Sequence, residues 1–174
     1  MRDAVFDSST LILAARAGIL SHLFNMFTKI IIPDGVYNEV VIAGKQKLRE
    51  DALIVEQEIK NNKIEVISVK KRDAVTKLLE EFNLQRGEAE AIVICLEHRA
   101  LFLGTDDKEA IKVCRVYKIP FITALALTVK LAKERYILPT EAKLIMMKLE
   151  KVGYYSNQIV ADAKKECDLN GNRS

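Results

Sequence analysis

Short apolar segments alternate with longer amphipathic segments along this sequence, and that alternation most constrains its fold. Apolar runs of strand length lie at residues 2–6, 29–32, 64–69, 100–103 and 120–122. The segments between them space their apolar residues as helices do. Parallel strands need a long, usually helical connection, so this order predicts an α/β protein with helices on both faces of the sheet. We therefore predict a central, mostly parallel sheet of about five strands.

The C-terminal part follows a different pattern. Beyond Pro139 the sequence predicts two amphipathic helices, at about residues 140–151 and 156–166, separated by Gly153. We predict one folded domain over residues 1–138, because a chain of this length can bury a complete core. The C-terminal helices, residues 139–168, are expected to pack on that domain, and residues 169–174 to form a disordered tail.

Several protein classes are disfavoured by the composition. The longest apolar stretch, residues 119–129, is shorter than the roughly 20 residues of a membrane helix. The N-terminus reaches Asp7 before any long apolar run, unlike a signal peptide. Three cysteines without paired spacing argue against disulfides and against a zinc knuckle: Cys95, Cys114 and Cys167. We therefore expect a cytoplasmic protein without a membrane anchor.

Net charge, aromatic residues and histidines do not by themselves indicate which ligand the protein binds. The net charge of +3 is too small to indicate nucleic-acid binding by itself. The absence of tryptophan makes base reading by stacking less favourable. His22 and His98 do not form a cluster, which argues against zinc or non-haem iron.

Acidic residues gather where a parallel sheet binds its ligands. Asp7 follows the first predicted strand, and Asp106 and Asp107 follow the fourth. Ligands of open parallel sheets bind outside the carboxyl ends of the strands. Glutamates also occur early in two helices: Glu39, Glu88 and Glu90.

Such a group of carboxylates suits a metal ion. Carboxylates brought together repel one another, and a hard divalent cation with oxygen ligands relieves that repulsion. Mg²⁺ or Mn²⁺ held in this way can activate a water molecule for phosphodiester hydrolysis. Each acid also has a simpler interpretation, which the sequence leaves open. Asp7 and Asp106 are suited to cap the helices that follow them, Glu39 to be solvated, and Glu88 to favour a helix dipole.

Four motifs together resemble the PIN-domain family. In order, they lie at residues 5–12 (VFDSSTLI), 33–40 (with Pro33, Val36, Tyr37, Glu39 and Val40), 87–92 (GEAEAI) and 105–107 (TDD). The most similar subgroup is an uncharacterised prokaryotic one with Gly-Glu-x-Glu-Ala-Ile and Thr-Asp-Asp motifs, related to VapC toxins. The C-terminal Gly-Tyr turn at residues 153–156 is also similar, so the resemblance covers nearly the whole chain.

The resemblance implies a three-layer α/β/α sandwich, Mg²⁺ or Mn²⁺ as cofactor, and a set of site residues. The implied catalytic residues are Asp7, Glu39, Glu88 and Asp107. The implied metal ligands are Asp7, Glu88, Asp106 and Asp107. Many relatives have Asp where this chain offers Glu88 or Glu90. The spacing to the Thr-Asp-Asp motif favours Glu88 and leaves Glu90 as a supporting or salt-bridge residue.

Hydroxyl and basic side chains near the acids are candidates for substrate binding. The resemblance points to Ser8 and Thr105 as hydroxyls beside the acids. Phosphate neutralisation by cations supplies most non-specific affinity for nucleic acid. We predict that substrate contacts four cations, and residues 70–72 are a weaker candidate: Arg86, Lys45, Lys47 and Arg49. Any one of them could also be an ordinary solvated side chain.

The sequence therefore predicts a metal-dependent endoribonuclease that acts on single-stranded RNA, with a toxin held by an antitoxin protein as the narrower hypothesis. Leu144, Met147 and Ile159 on the C-terminal helices are candidates for a homodimer interface or for packing within one chain. One alternative is a PIN-like binding or regulatory module with little catalysis. Another is a DNA-directed nuclease. A receiver-like phosphoacceptor fits less well, because Asp3 and Asp7 are not adjacent acids at a strand end.

Overall fold

The short apolar runs of the sequence form the strands of one parallel sheet. The computed structural model describes residues 3–98, 100, 102–153 and 155–171. The strands in this part of the chain are β1 (Ala4–Phe6), β2 (Ile30–Pro33), β3 (Ile64–Ile67), β4 (Leu103–Gly104) and β5 (Phe121–Ile122). Their order is β3-β2-β1-β4-β5, and every neighbouring pair is parallel. This confirms the predicted sheet.

Helices connect the strands and continue beyond the last one. They are α1 (Ser8–Ala17), α2 (Leu20–Met26), α3 (Asp34–Tyr37), α4 (Ala43–Gln46), α5 (Glu50–Lys60), α6 (Arg72–Glu81), α7 (Arg86–His98), α8 (Lys108–Tyr117), α9 (Ala124–Lys133), α10 (Pro139–Val152) and α11 (Asn157–Gly171). A π-helical turn (Asn38–Ile42) joins α3 to α4. Each connection between consecutive strands contains at least one helix, as parallel pairing requires.

Strand side chains alternate between two apolar cores on opposite faces of the sheet. Phe6 and Ile30 belong to the core that α1, α2, α9 and α10 share. Val5 and Ile31 belong to the core that α6, α7 and α8 share. All four are nearly or fully buried, and burial of a side chain of this size stabilises the fold by about 1.5–3 kcal/mol. These layers confirm the α/β/α sandwich.

The order of the strands reverses between β1 and β4. The chain builds β1, β2 and β3 toward one edge and then returns to place β4 and β5 on the other side of β1. In open α/β sheets, ligands bind at such a switch point, outside the carboxyl ends of the strands. At this point β1 and β4 approach closely, because Gly104 lacks a side chain and a Cβ there would lie 2.7 Å from the Phe6 ring.

Two helices begin at residues that differ from those expected. The sequence predicts that the first helix starts near Leu11, whereas α1 starts at Ser8 because the Asp7 side chain already caps it. The charged pattern of residues 47–60 predicts a helix over that range, but the helix there, α5, starts only at Glu50. Leu48, just after α4, has a left-handed φ of 55° and interrupts the helical path.

Two strands also differ in their bounds. Pro33-Asp34 is typical of the start of a helix, and α3 does begin at Asp34 with Pro33 as its N-cap, but Pro33 is also the last residue of β2 and pairs with Ile67. The fourth strand lies at Leu103–Gly104, toward the end of the predicted range 100–103. Within that range, Leu101 lies outside the described residues, as does Arg2 of the first predicted strand.

The C-terminal helices contribute to the same core as β1 and β2. Ile145 and Leu149 of α10 and Val160 of α11 are buried in it. The last helix runs to Gly171, beyond the predicted end, and residues 172–174 of the predicted tail lie outside the described residues. No helix among the described residues is long and apolar enough to span a bilayer.

Candidate functional site

Asp7 lies at the switch point with one carboxylate oxygen satisfied and the other without a partner. It is 1 % exposed. Its Oδ1 accepts hydrogen bonds from the Thr10 backbone N–H at 3.0 Å and from the Ser9 hydroxyl at 2.8 Å. Its Oδ2 is buried and accepts no hydrogen bond from the described residues. A buried polar atom without a partner is costly, so this atom is suited to a water or a cation.

The surroundings of Asp7 oppose its negative charge. Burial is the largest effect and raises the pKa of Asp7 to about 7. Polar contacts from Thr105, Thr10 and Ser9 oppose this rise, and the charge of Asp106 adds to it. Near neutral pH, the Asp7 carboxyl group is therefore poised between its neutral and charged forms.

Glu88 faces the same acidic group from the first turn of α7. Its Oε2 accepts a hydrogen bond of 2.7 Å from the Gln85 backbone N–H, which satisfies a donor at the start of the helix. Burial raises the pKa of Glu88 to about 7, and the charges of Asp107, Asp7 and Glu39 add to this effect. The charges of the other three predicted catalytic acids thus all act on Glu88.

Glu39 joins this group from the π-helical turn. The side chain is exposed, and its Oε2 accepts a hydrogen bond of 2.7 Å from the Ser8 hydroxyl. Ser8 belongs to the first turn of α1, so this bond ties the turn to the helix that Asp7 caps. Insertions of this kind in helices occur frequently at functional sites.

The two acids after β4 are used differently. Asp107 caps α8, and its Oδ1 accepts the backbone N–H groups of Glu109 at 2.8 Å and Ala110 at 2.9 Å. Asp106 accepts hydrogen bonds from three donors. Its Oδ2 accepts the Thr10 hydroxyl at 2.6 Å and the Ala124 backbone N–H at 2.9 Å, and its Oδ1 accepts the Tyr155 hydroxyl.

Glu90 lines a smaller pocket together with Glu39 and Arg86. It is buried, and its Oε1 accepts the Arg86 Nε–H at 2.7 Å while its Oε2 accepts the Gly35 backbone N–H at 2.8 Å. The bond from Gly35 fastens α7 to α3, whereas the bond from Arg86 lies within α7. A Cβ at position 35 would lie 2.6 Å from Glu90 Oε2, so Gly35 permits this contact.

The predicted substrate-binding residues are only partly brought together. Thr105 is fully buried beside the acids, and its hydroxyl accepts the Asp107 backbone N–H at 3.2 Å. Lys45 pairs with Glu56 at 2.7 Å, toward α5. Arg86 is bound to Glu90, although its side chain is 79 % exposed. Arg49 borders the groove described next.

A groove of about 570 Å³ opens beside Asp106 and Asp107. Three residues that the sequence did not single out as site residues also line it: Arg16, Lys108 and Tyr155. Two of them could have been predicted from neighbouring motifs, because Lys108 directly follows the acidic pair and Tyr155 lies in the Gly-Tyr turn. Arg16 carried no such signal in the sequence. A larger groove of about 690 Å³ lies between α9 and α11, and none of the predicted site residues lines it.

The acidic residues fit a hard cation in their chemistry but do not enclose one. Within the described residues, no three His, Cys, Asp or Glu side chains lie close enough together to hold a metal ion. All of the gathered donors are oxygens, and Asp7 Oδ2 has no partner. The pKa values of Asp7 and Glu88 are raised mainly by burial, and neighbouring carboxylates add to the rise.

Comparison with known proteins identifies the family. A family model described as a PIN domain matches residues 3–167, almost the whole chain. No curated protein matches the sequence. PIN domains are generally nucleases and typically use divalent metals, which agrees with acids placed at the switch point of a parallel sheet. The chain belongs to the PIN-domain family.

Proposed function

We propose that the protein is a cytoplasmic endoribonuclease that cleaves single-stranded RNA with the help of Mg²⁺ or Mn²⁺. The observation that carries this proposal is the unpartnered, buried Oδ2 of Asp7 among carboxylates from three other elements. A fold that needed Asp7 only as a helix cap would have no use for Glu88, Glu39 and Asp107 close by. Their mutual repulsion raises the free energy of the metal-free protein.

Asp7, Glu88 and Asp107 are the residues that would hold the ion. A bound Mg²⁺ or Mn²⁺ would lower the pKa of a water molecule and neutralise charge on the phosphate. Ser9 and Thr10 fix Asp7 through Oδ1, which leaves Oδ2 for a cation. Asp107 is fixed in the same way, because both of its cap bonds use Oδ1. Glu39, oriented by Ser8, acts as the fourth acid.

We assign Asp106 a positioning role beside its predicted role as a ligand. Three donors already occupy its carboxylate, from α1, α9 and the turn between α10 and α11. Such a carboxylate holds the ends of these elements in place around the ion. Glu90 is likewise a structural residue, because its two oxygens bind Arg86 and Gly35.

The test of this proposal is cleavage of labelled single-stranded RNA. Purified protein is incubated with RNA, and in parallel with DNA of the same sequence, in Mg²⁺, in Mn²⁺ and in EDTA. The proposal predicts that RNA is cut with either metal and remains intact in EDTA. Preferential cleavage of the DNA would favour the alternative DNA-directed nuclease. Binding of RNA without cleavage under every condition would favour a binding or regulatory module.

A toxin held by an antitoxin is the narrower form of the proposal, and it rests on the resemblance to VapC-related proteins. Its test is growth of a host that expresses the chain. The toxin hypothesis predicts arrest with the wild type and normal growth with Asp7→Asn at equal protein level. Normal growth with a wild-type protein that cleaves RNA in vitro would contradict a toxin role.

A homodimer is a further part of the proposal. Leu144 and Met147 of α10 and Ile159 of α11 expose much of their side chains, which supports an interface on these helices. Light scattering is expected to give twice the chain mass of 19.6 kDa. A double variant, Leu144→Glu with Ile159→Glu, is expected to give the single mass. A single mass for the wild type would contradict the dimer.

A further inference from the structure

The groove beside the acids is lined by three cations. Arg16, Arg49 and Lys108 border it, and Asp106 and Asp107 lie along the same groove. A nucleic-acid chain that passes the acids needs positive charge on either side of the cleaved bond, because its other phosphates are not neutralised by the metal. The cations of the groove can supply this charge on one side.

Arg16 is the most firmly placed of the three. Its Nε–H donates to Asp51 Oδ1 at 2.9 Å, and Asp51 is only 4 % exposed. The terminal amino groups of Arg16 have no partner among the described residues. A guanidinium group offers five donors in a rigid planar fork, so one edge is held by Asp51 while the other remains available. This arrangement orients a cation before any ligand arrives.

Asp51 stands in the first turn of α5, where an acid favours the helix dipole, but that role does not require its burial. Its Oδ2 is buried and accepts no hydrogen bond from the described residues. A buried carboxylate with one unsatisfied oxygen costs stability. Its one described partner is Arg16, 35 positions earlier in the sequence and on a different helix. The pair therefore fixes the Arg16 side chain at the groove at a cost to the fold.

Apolar side chains line the groove beside the cations. Ile12 and Leu13 of α1, Val152 of α10 and the Tyr155 ring contribute to its wall. Sites for single-stranded nucleic acid combine cations that follow the backbone with aromatic or apolar surfaces that contact the bases. An acidic peptide would use the cations but would leave this apolar wall without a partner.

We propose that this groove binds single-stranded RNA next to the cleaved bond, and that Arg16, positioned by Asp51, contacts one of its phosphodiester groups. Arg49 and Lys108 neutralise neighbouring phosphates, and bases or sugars pack on the apolar wall. This inference rests on the proposed function, because it supplies the substrate path for the acidic site. It adds Arg16 and Asp51, neither of which the sequence indicated.

The test is the salt dependence of RNA binding. A fluorescent single-stranded RNA is titrated in Mg²⁺ against Asp7→Asn protein, in which cleavage does not consume the RNA. Adding Arg16→Gln is expected to weaken binding by roughly tenfold, the effect of one charge-assisted hydrogen bond. The slope of log K against log salt should fall in magnitude by about 0.7, the value for one lost phosphate contact on a single strand.

Lys77→Gln is the matched control. Lys77 is an exposed cation of α6, on the other face of the sheet, and among the described residues it pairs only with Glu81, at 3.8 Å. Its loss removes the same charge from the protein without changing the groove. Affinity and salt slope are expected to stay at the values of the Asp7→Asn protein.

A second variant excludes misfolding as the cause. Arg16→Gln leaves Asp51 buried without its cation, which destabilises a fold. Arg16→Gln with Asp51→Asn removes both charges, and the same loss of affinity and salt slope is expected. If the Arg16 variants bind RNA with the same affinity and salt slope as the Lys77→Gln control, the inference is wrong. The proposed function would still hold in that case, provided that the wild type cleaves RNA with metal. Cleavage that persists in Asp7→Asn would instead contradict the proposed function.

Discussion

The Thr10 hydroxyl donates a hydrogen bond of 2.6 Å to Asp106 Oδ2, across 96 positions of the sequence. The backbone N–H of the same residue donates to Asp7 Oδ1 at 3.0 Å. Thr10 is fully buried, so both bonds are shielded from water. One residue thereby connects the acid after β1 to the acid after β4.

Thr10→Val is expected to loosen this connection. Valine has nearly the shape of threonine and keeps the backbone bond to Asp7, but it leaves Asp106 without one of its three donors. The free energy of unfolding should fall by about 1.5–3 kcal/mol, the contribution of a hydrogen bond to a charged group, while Asp106 Oδ2 keeps its bond from the Ala124 N–H. Chemical denaturation measures the change. Thr76→Val is the control, because Thr76 is an exposed residue of α6, and its unfolding free energy should stay within about 0.5 kcal/mol of wild type.

Glu88 and Glu90 are expected to respond in opposite ways to replacement by glutamine. Glu88→Gln keeps an oxygen for the Gln85 N–H but removes a charge that faces Asp7 and Asp107, so cleavage should be lost and stability kept. Glu90→Gln weakens the bonds to Arg86 and Gly35, so the free energy of unfolding should fall by about 1–2 kcal/mol while cleavage persists.

Cleavage and denaturation of the two variants side by side distinguish the roles. The opposite result would be an active Glu88→Gln protein and a fully stable Glu90→Gln protein that does not cleave RNA. That result would assign the metal site to Glu90 instead.

The raised pKa of Asp7 predicts a pH-dependent effect of Asp7→Asn on stability. In the folded protein its pKa rises from 3.8 to about 7, so between about pH 4 and 7 the folded state keeps a proton that the unfolded chain has lost. The contribution of Asp7 to stability therefore declines as pH rises through this window, and it is lowest above pH 7. In EDTA, Asp7→Asn should raise the melting temperature at pH 8 and change it little at pH 5.

Metal provides the complementary measurement. A cation bound by Asp7 and Glu88 competes with their protons, so Mn²⁺ should raise the melting temperature of the wild type more at pH 8 than at pH 5. The account of this site would be wrong if Asp7→Asn changed the melting temperature equally at both pH values and Mn²⁺ did not change it at all.

The sheet and the acids were predictable because their signals are local. At Asp7, for example, a short apolar run followed directly by an acid indicates both a strand and the residue at which the strand ends. For Asp7, the helix-cap interpretation is confirmed, because Oδ1 caps α1, and the role as a metal ligand stays a prediction, which Oδ2 leaves room for because it has no partner among the described residues. The same carboxylate can both cap a helix and bind a proposed metal ion, because a different oxygen is used for each.

The contacts that surround the acids were not predictable, because they join distant positions. Arg16 meets Asp51 from another helix, and Tyr155 reaches Asp106 across 49 positions. No periodicity or spacing marks such pairs. The ion pair of Lys45 with Glu56 was hidden for the same reason, whereas Arg86 and Glu90 have the i, i+4 spacing of a pair on one helix. Basic residues near an acid motif nevertheless proved a weak guide to the groove, because these two are engaged with glutamates instead.

The most direct measurement of the central claim compares RNA cleavage by wild type, Asp7→Asn and Asp73→Asn in Mn²⁺. Asparagine keeps the Oδ1 that caps α1 and replaces only the unpartnered oxygen of Asp7, so the variant should fold like the wild type. Asp73, exposed in the first turn of α6, is the matched control. We predict cleavage by wild type and Asp73→Asn that EDTA abolishes, and none by folded Asp7→Asn. Equal cleavage by all three proteins would contradict the claim.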